Sequence, residues 1–304
     1  MEGMVVMRKK ILILGSNGFI GRNIKEYLEK NKHLYCIHAP TKNELDILNE
    51  QEVREQLQKQ YYDVVIHAAV YNPRVGVNKD LSKELDVNLR MFFNFERYKN
   101  LYGKMLYFGS GAEFDKRDNI SMINEDDQGN GIPNTDYGLY KYIINKAIQQ
   151  SNNIYNIRVF GLFGKYENWK KTFISGACCK ALKNLPITIR QNVYFDYLYI
   201  DDFCKIIGWV IENDVQYKTY NVTSGKRVDL LTIANIVKRV SNKEDLLVYI
   251  CKEGLDKEYT ANNERLLNEM GEFAFTPIED SIKDLYDWYS KYEGMIDIYS
   301  LLYQ

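Results

Sequence analysis

Tyr137 and Lys141 are two side chains whose types and spacing suit proton transfer. They stand four positions apart in a segment whose pattern predicts a helix, so both lie on one helix face with Cβ atoms about 5–6 Å apart. An ammonium beside a phenol favours the phenolate and lowers the phenol pKa from about 10 toward neutrality. Such a tyrosine can pass a proton to or from a sugar hydroxyl or carbonyl. Because the chain contains 25 tyrosines, the pair alone could arise by chance.

Ser110 is a third candidate, because it directly follows the apolar run 105–109. We interpret that run as a buried strand that ends at Gly109. A hydroxyl at the end of a strand can help the tyrosine to hold a carbonyl oxygen and polarise it. An ordinary Ser-Gly turn is the alternative interpretation of the same residues.

Three glycines indicate where a cofactor that carries a pyrophosphate would bind. The apolar run 11–14 ends at Gly15, and Gly18 and Gly21 follow at three-residue spacing, where an amphipathic segment begins. This pattern predicts a strand, a tight turn and a helix. One glycine permits the turn, one lets the backbone approach a pyrophosphate, and one lets the helix lie close to the strand. The start of the helix then offers N–H groups and a positive dipole to the phosphates.

Alternating strands and helices must position these candidates. The predicted strands are 11–14, 35–39, 63–69, 105–109 and 154–160. The predicted helices are 51–60, 81–100 and 137–150 and, in a less regular second half, 169–185, 202–212, 230–240, 263–270 and 278–289. This βαβ alternation predicts an α/β fold, a doubly wound parallel sheet of the Rossmann type with a smaller C-terminal substrate-binding lobe. We expect 8–165 to form the dinucleotide-binding domain, 191–225 to return to it, and 166–304 to form mainly the lobe.

The bulk properties narrow the function classes. The chain has 304 residues, 45% of them hydrophobic, and a net charge of −1, which argues against a nucleic-acid partner. Its longest apolar runs are strand-sized, so we expect no membrane span. An odd count of five cysteines without CxxC spacing is typical of reduced thiols in a cytoplasmic protein. With only three histidines, we expect no histidine-rich metal site.

The motifs together resemble a known family. The run from Gly15 to Gly21 resembles its GxxGxxG loop, and the segments 67–69, 197–202 and 220–225 resemble its cofactor-lining strand, its aromatic-x-x-V-D-D segment and its NVGSG strand. From about residue 9 to residue 289, the chain resembles the extended short-chain dehydrogenases/reductases of the nucleotide-sugar epimerase/dehydratase family.

The resemblance implies roles for individual residues. Ser110, Tyr137 and Lys141 match the family's catalytic triad, and the lysine would also bond the nicotinamide ribose. The residues implied to contact the dinucleotide are Gly15, Asn17, Gly18, Phe19, Ile20, Gly21, His67, Ala68, Ala69, Asn88, Tyr137 and Lys141. The resemblance also implies a homodimer formed through the helices 81–100 and 137–150.

Within the family, the segments 41–48 and 62–69 are similar to those of GDP-fucose synthases, which reduce a 4-keto sugar nucleotide with NADPH after epimerising it. The Cys of their epimerising pair is replaced here by Ala112, and the position of the His falls near Lys171 or Thr172. Alanine cannot move a proton, so the resemblance implies 4-keto reduction without the double epimerisation.

The family's dehydratases place an Asp-Glu pair after the hydroxyl residue, and Gly111 and Ala112 stand there in this chain. We expect the adjacent Glu113 to point to the other face of a strand. The dehydratase interpretation is therefore weaker than the reductase interpretation.

The end of the second strand bears on the cofactor. No carboxylate follows the run 36–41 directly, and Lys42 with His38 could receive a 2′-phosphate, so we favour NADP(H), with NAD still possible. Asp46 is expected to cap a turn or to lie beside the adenine.

A nucleoside-diphosphate sugar is the implied substrate. Tyr194 and Phe195 occupy the place where the family often has an arginine for the pyrophosphate. We therefore expect Arg190, Arg265 and Lys171 to be the substrate-binding residues.

Three functions remain open at this point. The leading interpretation is a reductase that delivers hydride to the C4 ketone of an activated sugar. A 4-epimerase needs the same tyrosine and lysine together with a tightly held NAD. A dinucleotide-binding sensor without catalysis is the third, although such proteins commonly lose the Tyr/Lys pair.

Overall fold

The computed structural model of the protein describes residues 8–73, 80–127 and 131–302. The chain divides into two compact units. The first comprises Met1–Lys116, Glu125–Arg158 and Ile206–Tyr220, and the second comprises Arg117–Asn124, Val159–Lys205 and Asn221–Gln304. Of the segment 191–225, which we expected to return to the dinucleotide-binding domain, the first unit takes 206–220.

The strands follow the chain from the N-terminal run onward. They are β1 (Lys9–Leu14), β2 (Tyr35–His38), β3 (Tyr62–His67), β4 (Tyr102–Ser110), β5 (Ile120–Ile123), β6 (Ile154–Val159), β7 (Gly161–Phe163), β8 (Ile187–Asn192), β9 (Tyr194–Tyr199), β10 (Thr219–Val222), β11 (Arg227–Asp229), β12 (Val248–Leu255) and β13 (Tyr259–Ala261).

The helices alternate with them. They are α1 (Phe19–Glu29), α2 (Glu50–Lys59), α3 (Glu84–Glu96), α4 (Asp136–Ile148), α5 (Phe173–Leu182), α6 (Ile200–Glu212), α7 (Leu230–Val240), α8 (Glu264–Met270), α9 (Ile278–Ser290) and α10 (Ile298–Leu302). In the described part of the chain, every helix is too short or too polar to cross a bilayer.

The main sheet has the strand order β10-β6-β4-β3-β1-β2. The pairings of β1 with β2, β1 with β3 and β3 with β4 are parallel. The chain leaves β1 for β2 on one side and then continues through β3 and β4 on the other. This reversal opens a crevice beyond the carboxyl ends of β1 and β3, where ligands of such sheets bind. The predicted doubly wound parallel sheet is confirmed.

The second unit is built differently. Its sheet has the order β11-β9-β13-β5, with β7 paired to β9, and β12 pairs in parallel with β8. Buried side chains of α5, α7 and α9 form its apolar core together with those of β8. Most side chains of β12 are exposed, so this strand lacks the continuous apolar run that revealed the strands of the first unit, and the sequence analysis missed it.

Two predicted helices were too long. The segment 81–100 contains a 3₁₀ turn at Leu81–Lys83, then α3, then a second 3₁₀ turn at Lys99–Leu101. The segment 169–185 is helical only over α5, because Thr172 adopts extended dihedral angles immediately before it. In both cases the apolar periodicity continues past the point where the backbone leaves the helix.

The glycine turn after β1 has no room for side chains. Gly15 has φ +77°, and a Cβ there would meet the backbone nitrogen of Ala69 at 2.6 Å. A Cβ on Gly21 would meet the carbonyl oxygen of Gly15 at 2.3 Å. Backbone atoms cannot yield as a flexible side chain can, so these two glycines fix how closely α1 lies against β1 and the end of β3.

We expect Gly21→Ala to lower the free energy of unfolding by about 1–3 kcal/mol, the usual cost of overpacking a tight site. Urea denaturation followed by circular dichroism measures this. Gly294→Ala is the matched control, since a Cβ at Gly294 meets nothing within 4 Å. Equal stability of the two variants would show that the turn is less tightly packed than described.

Candidate active site

Ser110 closes β4 and begins the 3₁₀ turn Gly111–Glu113. Its Oγ accepts a hydrogen bond from the Ala112 N–H at 3.2 Å, and its own N–H donates to Glu113 Oε1 at 3.1 Å. These two reciprocal bonds form a capping box. Because the hydroxyl oxygen is used there as an acceptor, its proton is left to donate elsewhere.

The first turn of α4 lies against this 3₁₀ turn. Thr135 caps the helix, its Oγ1 accepting the Gly138 N–H at 3.1 Å, so that Tyr137 falls in the first turn and Lys141 in the second. A Cβ on Gly138 would meet the Ala112 carbonyl oxygen at 2.6 Å. Tyr137, the neighbour of Gly138, is thereby brought next to the turn that begins at Ser110.

Lys141 is buried, and its ammonium binds the end of β4. Nζ donates to the Phe108 carbonyl oxygen and lies 4.5 Å from the centre of the Tyr107 ring and 6.0 Å from that of Tyr137. Phe108 stands two residues before Ser110, so the structure brings the three predicted catalytic residues together at one end of the sheet.

The charge state of Lys141 reflects this burial. Loss of hydration lowers its pKa from 10.5 to about 8, while the negative charge of Glu113 acts in the opposite direction. The ammonium is therefore the main form at neutral pH, and it loses its proton under mildly alkaline conditions.

A cavity of about 410 Å³ opens beside the glycine turn, within the first unit. Five predicted dinucleotide contacts line it: Gly15, Asn17, Lys42, Asp46 and Ala69. Its remaining walls are largely apolar and come from the loop after β2, the end of β3 and α3; they include Leu45, Ile47, Leu48, Val70, Val87 and Met91. The sequence analysis did not single out these apolar residues, although the run 45–48 directly follows the loop that it discussed.

This cavity and the turn beside it fit a dinucleotide. Helix α1 has Gly18 at its N-cap, with no side chain capping it and no acidic residue in its first turn. Its leading N–H groups and dipole can therefore face an anion. The apolar walls suit a flat aromatic base. Among the described residues, no group of three or more His, Cys, Asp or Glu side chains could hold a metal ion.

The other predicted dinucleotide contacts lie outside the lining of the cavity. Gly18, Phe19, Ile20 and Gly21 form the turn and the start of α1, and the Ala68 N–H donates to the Leu14 carbonyl at 3.0 Å. His38 contacts the Tyr62 hydroxyl through Nδ1 at 2.5 Å, and burial lowers its pKa.

Asn88 and His67 support the loop and strand behind the cavity. The Asn88 amide accepts the Tyr71 N–H at 2.9 Å and donates to the carbonyls of Tyr71 and Glu84. His67 is packed against two aromatic rings and is 2% exposed, and burial lowers its pKa to about 4, so it is neutral.

The second unit contains a basic cavity of about 420 Å³ at the start of α5. Lys170, Lys171 and Lys180 line it together with Thr172 and Thr188. Lys180 is 6% exposed, its Nζ donates to Thr188 Oγ1 at 2.6 Å, and burial lowers its pKa. Three lysines with hydroxyl neighbours suit an anionic group.

Of the three predicted substrate residues, only Lys171 belongs to this cavity. Arg190 is exposed on β8, and Arg265 is half-buried in α8. Neither arginine lines the cavity.

The expectation for Glu113 was wrong. The residue lies in the 3₁₀ turn after β4, not on a strand, and it is completely buried. Its Oε2 accepts the Arg158 Nε–H at 2.9 Å, and both oxygens accept from Asn156 Nδ2 at 3.1 Å. The capping box that Ser110 forms with Glu113 turns the chain here. The S-x-x-E spacing of the two residues is the sequence signal of such a box, and the sequence analysis did not use it.

Comparison with known proteins identifies a family whose matching region contains the candidate site. The model of the "NAD dependent epimerase/dehydratase family" matches residues 11–223, which include the glycine turn, Ser110, Tyr137 and Lys141. A curated relative, GDP-L-colitose synthase of Yersinia pseudotuberculosis, is 23% identical, with 86% of this chain and 92% of the relative aligned.

Two solved structures share the fold. A GDP-L-fucose synthetase from Naegleria fowleri bound to NADP superposes with a TM-score of 0.79 at 18% identity, covering 95% of this chain and 96% of that one. A GDP-mannoheptose C4 reductase from Campylobacter jejuni with NADP bound gives 0.78 at 19% identity, covering 93% and 98%.

We expect dinucleotide binding to weaken as the pH rises through about 8, because Lys141 then loses its ammonium. Loss of one hydrogen bond to a charged group should raise the NADPH dissociation constant by about tenfold or more. Fluorescence titration at a series of pH values measures this. In Lys141→Arg the rise should disappear, since arginine stays charged, whereas Lys146→Arg on the exposed side of α4 should behave as wild type. A dissociation constant of the wild-type protein that does not change with pH would contradict a contact between Lys141 and the dinucleotide.

Proposed function

Because the chain belongs to the NAD dependent epimerase/dehydratase family, we propose that it reduces the C4 ketone of a nucleoside-diphosphate sugar with a nicotinamide dinucleotide, preferably NADPH. The convergence of Ser110, Tyr137 and Lys141 carries this proposal. The Lys141 ammonium binds the Phe108 carbonyl, and Gly138 packs on Ala112, so the residues that carry the phenol, the hydroxyl and the cation lie at the same end of β4.

Each of these side chains has a task in the reduction. When bound, a reduced nicotinamide supplies the hydride. Tyr137 gives its phenolic proton to the ketone oxygen as that oxygen gains negative charge. Ser110 donates its hydroxyl proton to the same oxygen and polarises the ketone. Lys141 keeps a positive charge near the phenol, which stabilises the phenolate left after transfer.

The preference for NADPH rests on the loop after β2. Lys42 lines the cavity beside Thr41 and could pair with a 2′-phosphate. Glu44, two residues after Lys42, accepts hydrogen bonds from the Thr41 N–H and hydroxyl at 2.7 and 2.8 Å. Asp46, which lines the cavity, accepts the Leu48 N–H at 3.1 Å. Doubly wound folds that prefer NAD use such a carboxylate to bind the ribose 2′-hydroxyl. A carboxylate that already accepts other hydrogen bonds is less available for this contact.

Residues that are missing support simple reduction. Ala112 offers no proton, which argues against epimerisation next to the ketone. Glu113 is committed to Arg158 and Asn156, so it does not replace the carboxylate that a dehydratase would need. The basic cavity around Lys171 and Lys180 in the second unit suits the diphosphate of the substrate.

We expect the wild-type protein to oxidise NADPH with at least one 4-keto sugar nucleotide from a panel of GDP-, dTDP-, UDP- and CDP-linked ketones. Tyr137→Phe should lower kcat by about 10²-fold or more, since it removes the proton donor, while NADPH affinity is kept. Absorbance at the nicotinamide band measures turnover. Tyr142→Phe, on the same helix, is the matched control and should be as active as wild type.

Other outcomes of this assay identify the alternatives. A 4-epimerase would retain NAD through purification and interconvert sugar nucleotides without consuming NADPH. A sensor would bind the dinucleotide and turn over none of the panel. Full activity of Tyr137→Phe would contradict both catalytic interpretations.

The cofactor preference has its own test. We expect Lys42→Ala to raise the KM for NADPH by about tenfold, the weight of a charge-assisted contact with the 2′-phosphate, and to leave the KM for NADH unchanged. Steady-state kinetics with both cofactors measure this, and Lys32→Ala, at an exposed lysine outside the cavity, is the control. An equal rise of the two KM values would contradict a contact between Lys42 and the 2′-phosphate.

A further inference from the structure

We propose that Glu113 is a positioning residue for the reaction, whose carboxylate fixes the backbone of Ser110 and holds the positive charge on Lys141. The inference rests on the proposed function, since it concerns how two of the catalytic residues are held. Glu113 itself has no path to the substrate, because it is completely buried and its oxygens are already engaged.

The carboxylate is saturated with donors from three directions. Oε1 accepts the Ser110 N–H and Asn156 Nδ2, both at 3.1 Å. Oε2 accepts Arg158 Nε at 2.9 Å and Asn156 Nδ2 at 3.1 Å. A carboxylate with several such donors is held in one orientation. It is therefore a fixed anchor, and the backbone N–H of Ser110 is hydrogen-bonded to it.

The packing around this anchor leaves no freedom. A Cβ on Gly109 would meet Asn156 Oδ1 at 2.1 Å and Glu113 Oε1 at 2.2 Å, so the backbone at the end of β4 lies directly on these two side chains. The Arg158 guanidinium is 4.6 Å from the centre of the Phe114 ring. Any shift of Glu113 would thus move the backbone that carries Ser110.

Stability alone does not account for a pair of this kind. Arg158 and Glu113 are both 0% exposed, and taking two charges out of water costs several kcal/mol per ion, so well-packed apolar residues often serve at least as well. A buried pair next to three catalytic groups points to a role in geometry or charge.

The charge of Glu113 also acts on Lys141. Burial disfavours the ammonium and Glu113 favours it. Within residues 8–73, 80–127 and 131–302, Lys141 also faces aromatic rings: Tyr107 of β4, His67 of β3, and Tyr137 and Tyr140 of α4. His67 is neutral, so Glu113 is the anion that sustains this cation among them.

Three variants and two measurements separate the two roles. Glu113→Gln keeps the shape of the side chain and removes its charge. Glu113→Leu combined with Arg158→Met removes the carboxylate, the anchor of Ser110 and the cation that is paired with it. Glu84→Gln is the control, since Glu84 is another buried carboxylate, 2% exposed, in the same unit.

The first measurement is an NMR titration of Lys141, assigned with Lys141→Arg, which needs no substrate. We expect the Lys141 midpoint to fall by about one unit or more in Glu113→Gln, the effect of losing one opposite charge. In the double variant it should fall as well, because Glu113 is absent there too, and in Glu84→Gln it should stay near the wild-type value. An unchanged midpoint in Glu113→Gln overturns the electrostatic part.

The second measurement is kcat with the ketone that wild type reduces. Measured at a pH below the Lys141 midpoint of every variant, both Glu113 variants should lose about ten- to a hundredfold in kcat through misplacement of Ser110, with the KM for NADPH kept. A wild-type kcat in the double variant overturns the positioning part of the proposal. If Glu113→Gln fails to fold, the kcat of the double variant alone tests that part. If wild type reduces none of the ketones, the proposed function fails, whereas the Lys141 titration still decides whether Glu113 holds its charge.

Discussion

The contact between the Lys141 ammonium and the Phe108 carbonyl is the interaction on which the candidate site depends. It joins the second turn of α4 to the end of β4, and it is buried. An ammonium inside a protein must find acceptors or lose its proton. The carbonyl at the end of the strand provides an acceptor, which fixes the helix, and with it Tyr137, relative to Ser110. The same burial brings the lysine pKa down to about 8, so the ammonium remains the main form at neutral pH.

A second layer of buried polar groups stands behind this contact. Glu113, Arg158 and Asn156 fill the space under the end of β4 that an apolar core would otherwise occupy. Glu113 accepts hydrogen bonds from both Arg158 and Asn156, which fixes its position. A hydroxyl needs such a fixed support if it is to meet a developing negative charge at the right distance.

The two units contain cavities of opposite character. The first, beside the glycine turn, is largely apolar with one lysine at its edge, which suits a flat base next to a phosphate. The second, at the start of α5, is lined by three lysines, one of them buried against Thr188, which suits an anion. The proposed reaction uses a dinucleotide and a nucleoside-diphosphate sugar, and it therefore needs both kinds of surface.

The sequence by itself determined the parallel sheet, the glycine turn and the three catalytic candidates. Buried parallel strands leave continuous apolar runs, and a Tyr and a Lys four apart on a helix must share a face, so both features are local. Tertiary structure alone decided that Glu113 binds Arg158, that Asn88 holds the loop at Tyr71, that His38 contacts Tyr62, and which apolar residues line the cavity beside the glycine turn. The three contacts join residues 17 to 45 positions apart, and the cavity lining extends from Leu14 to Met91. A pattern of neighbouring residues carries no information about contacts at such separations.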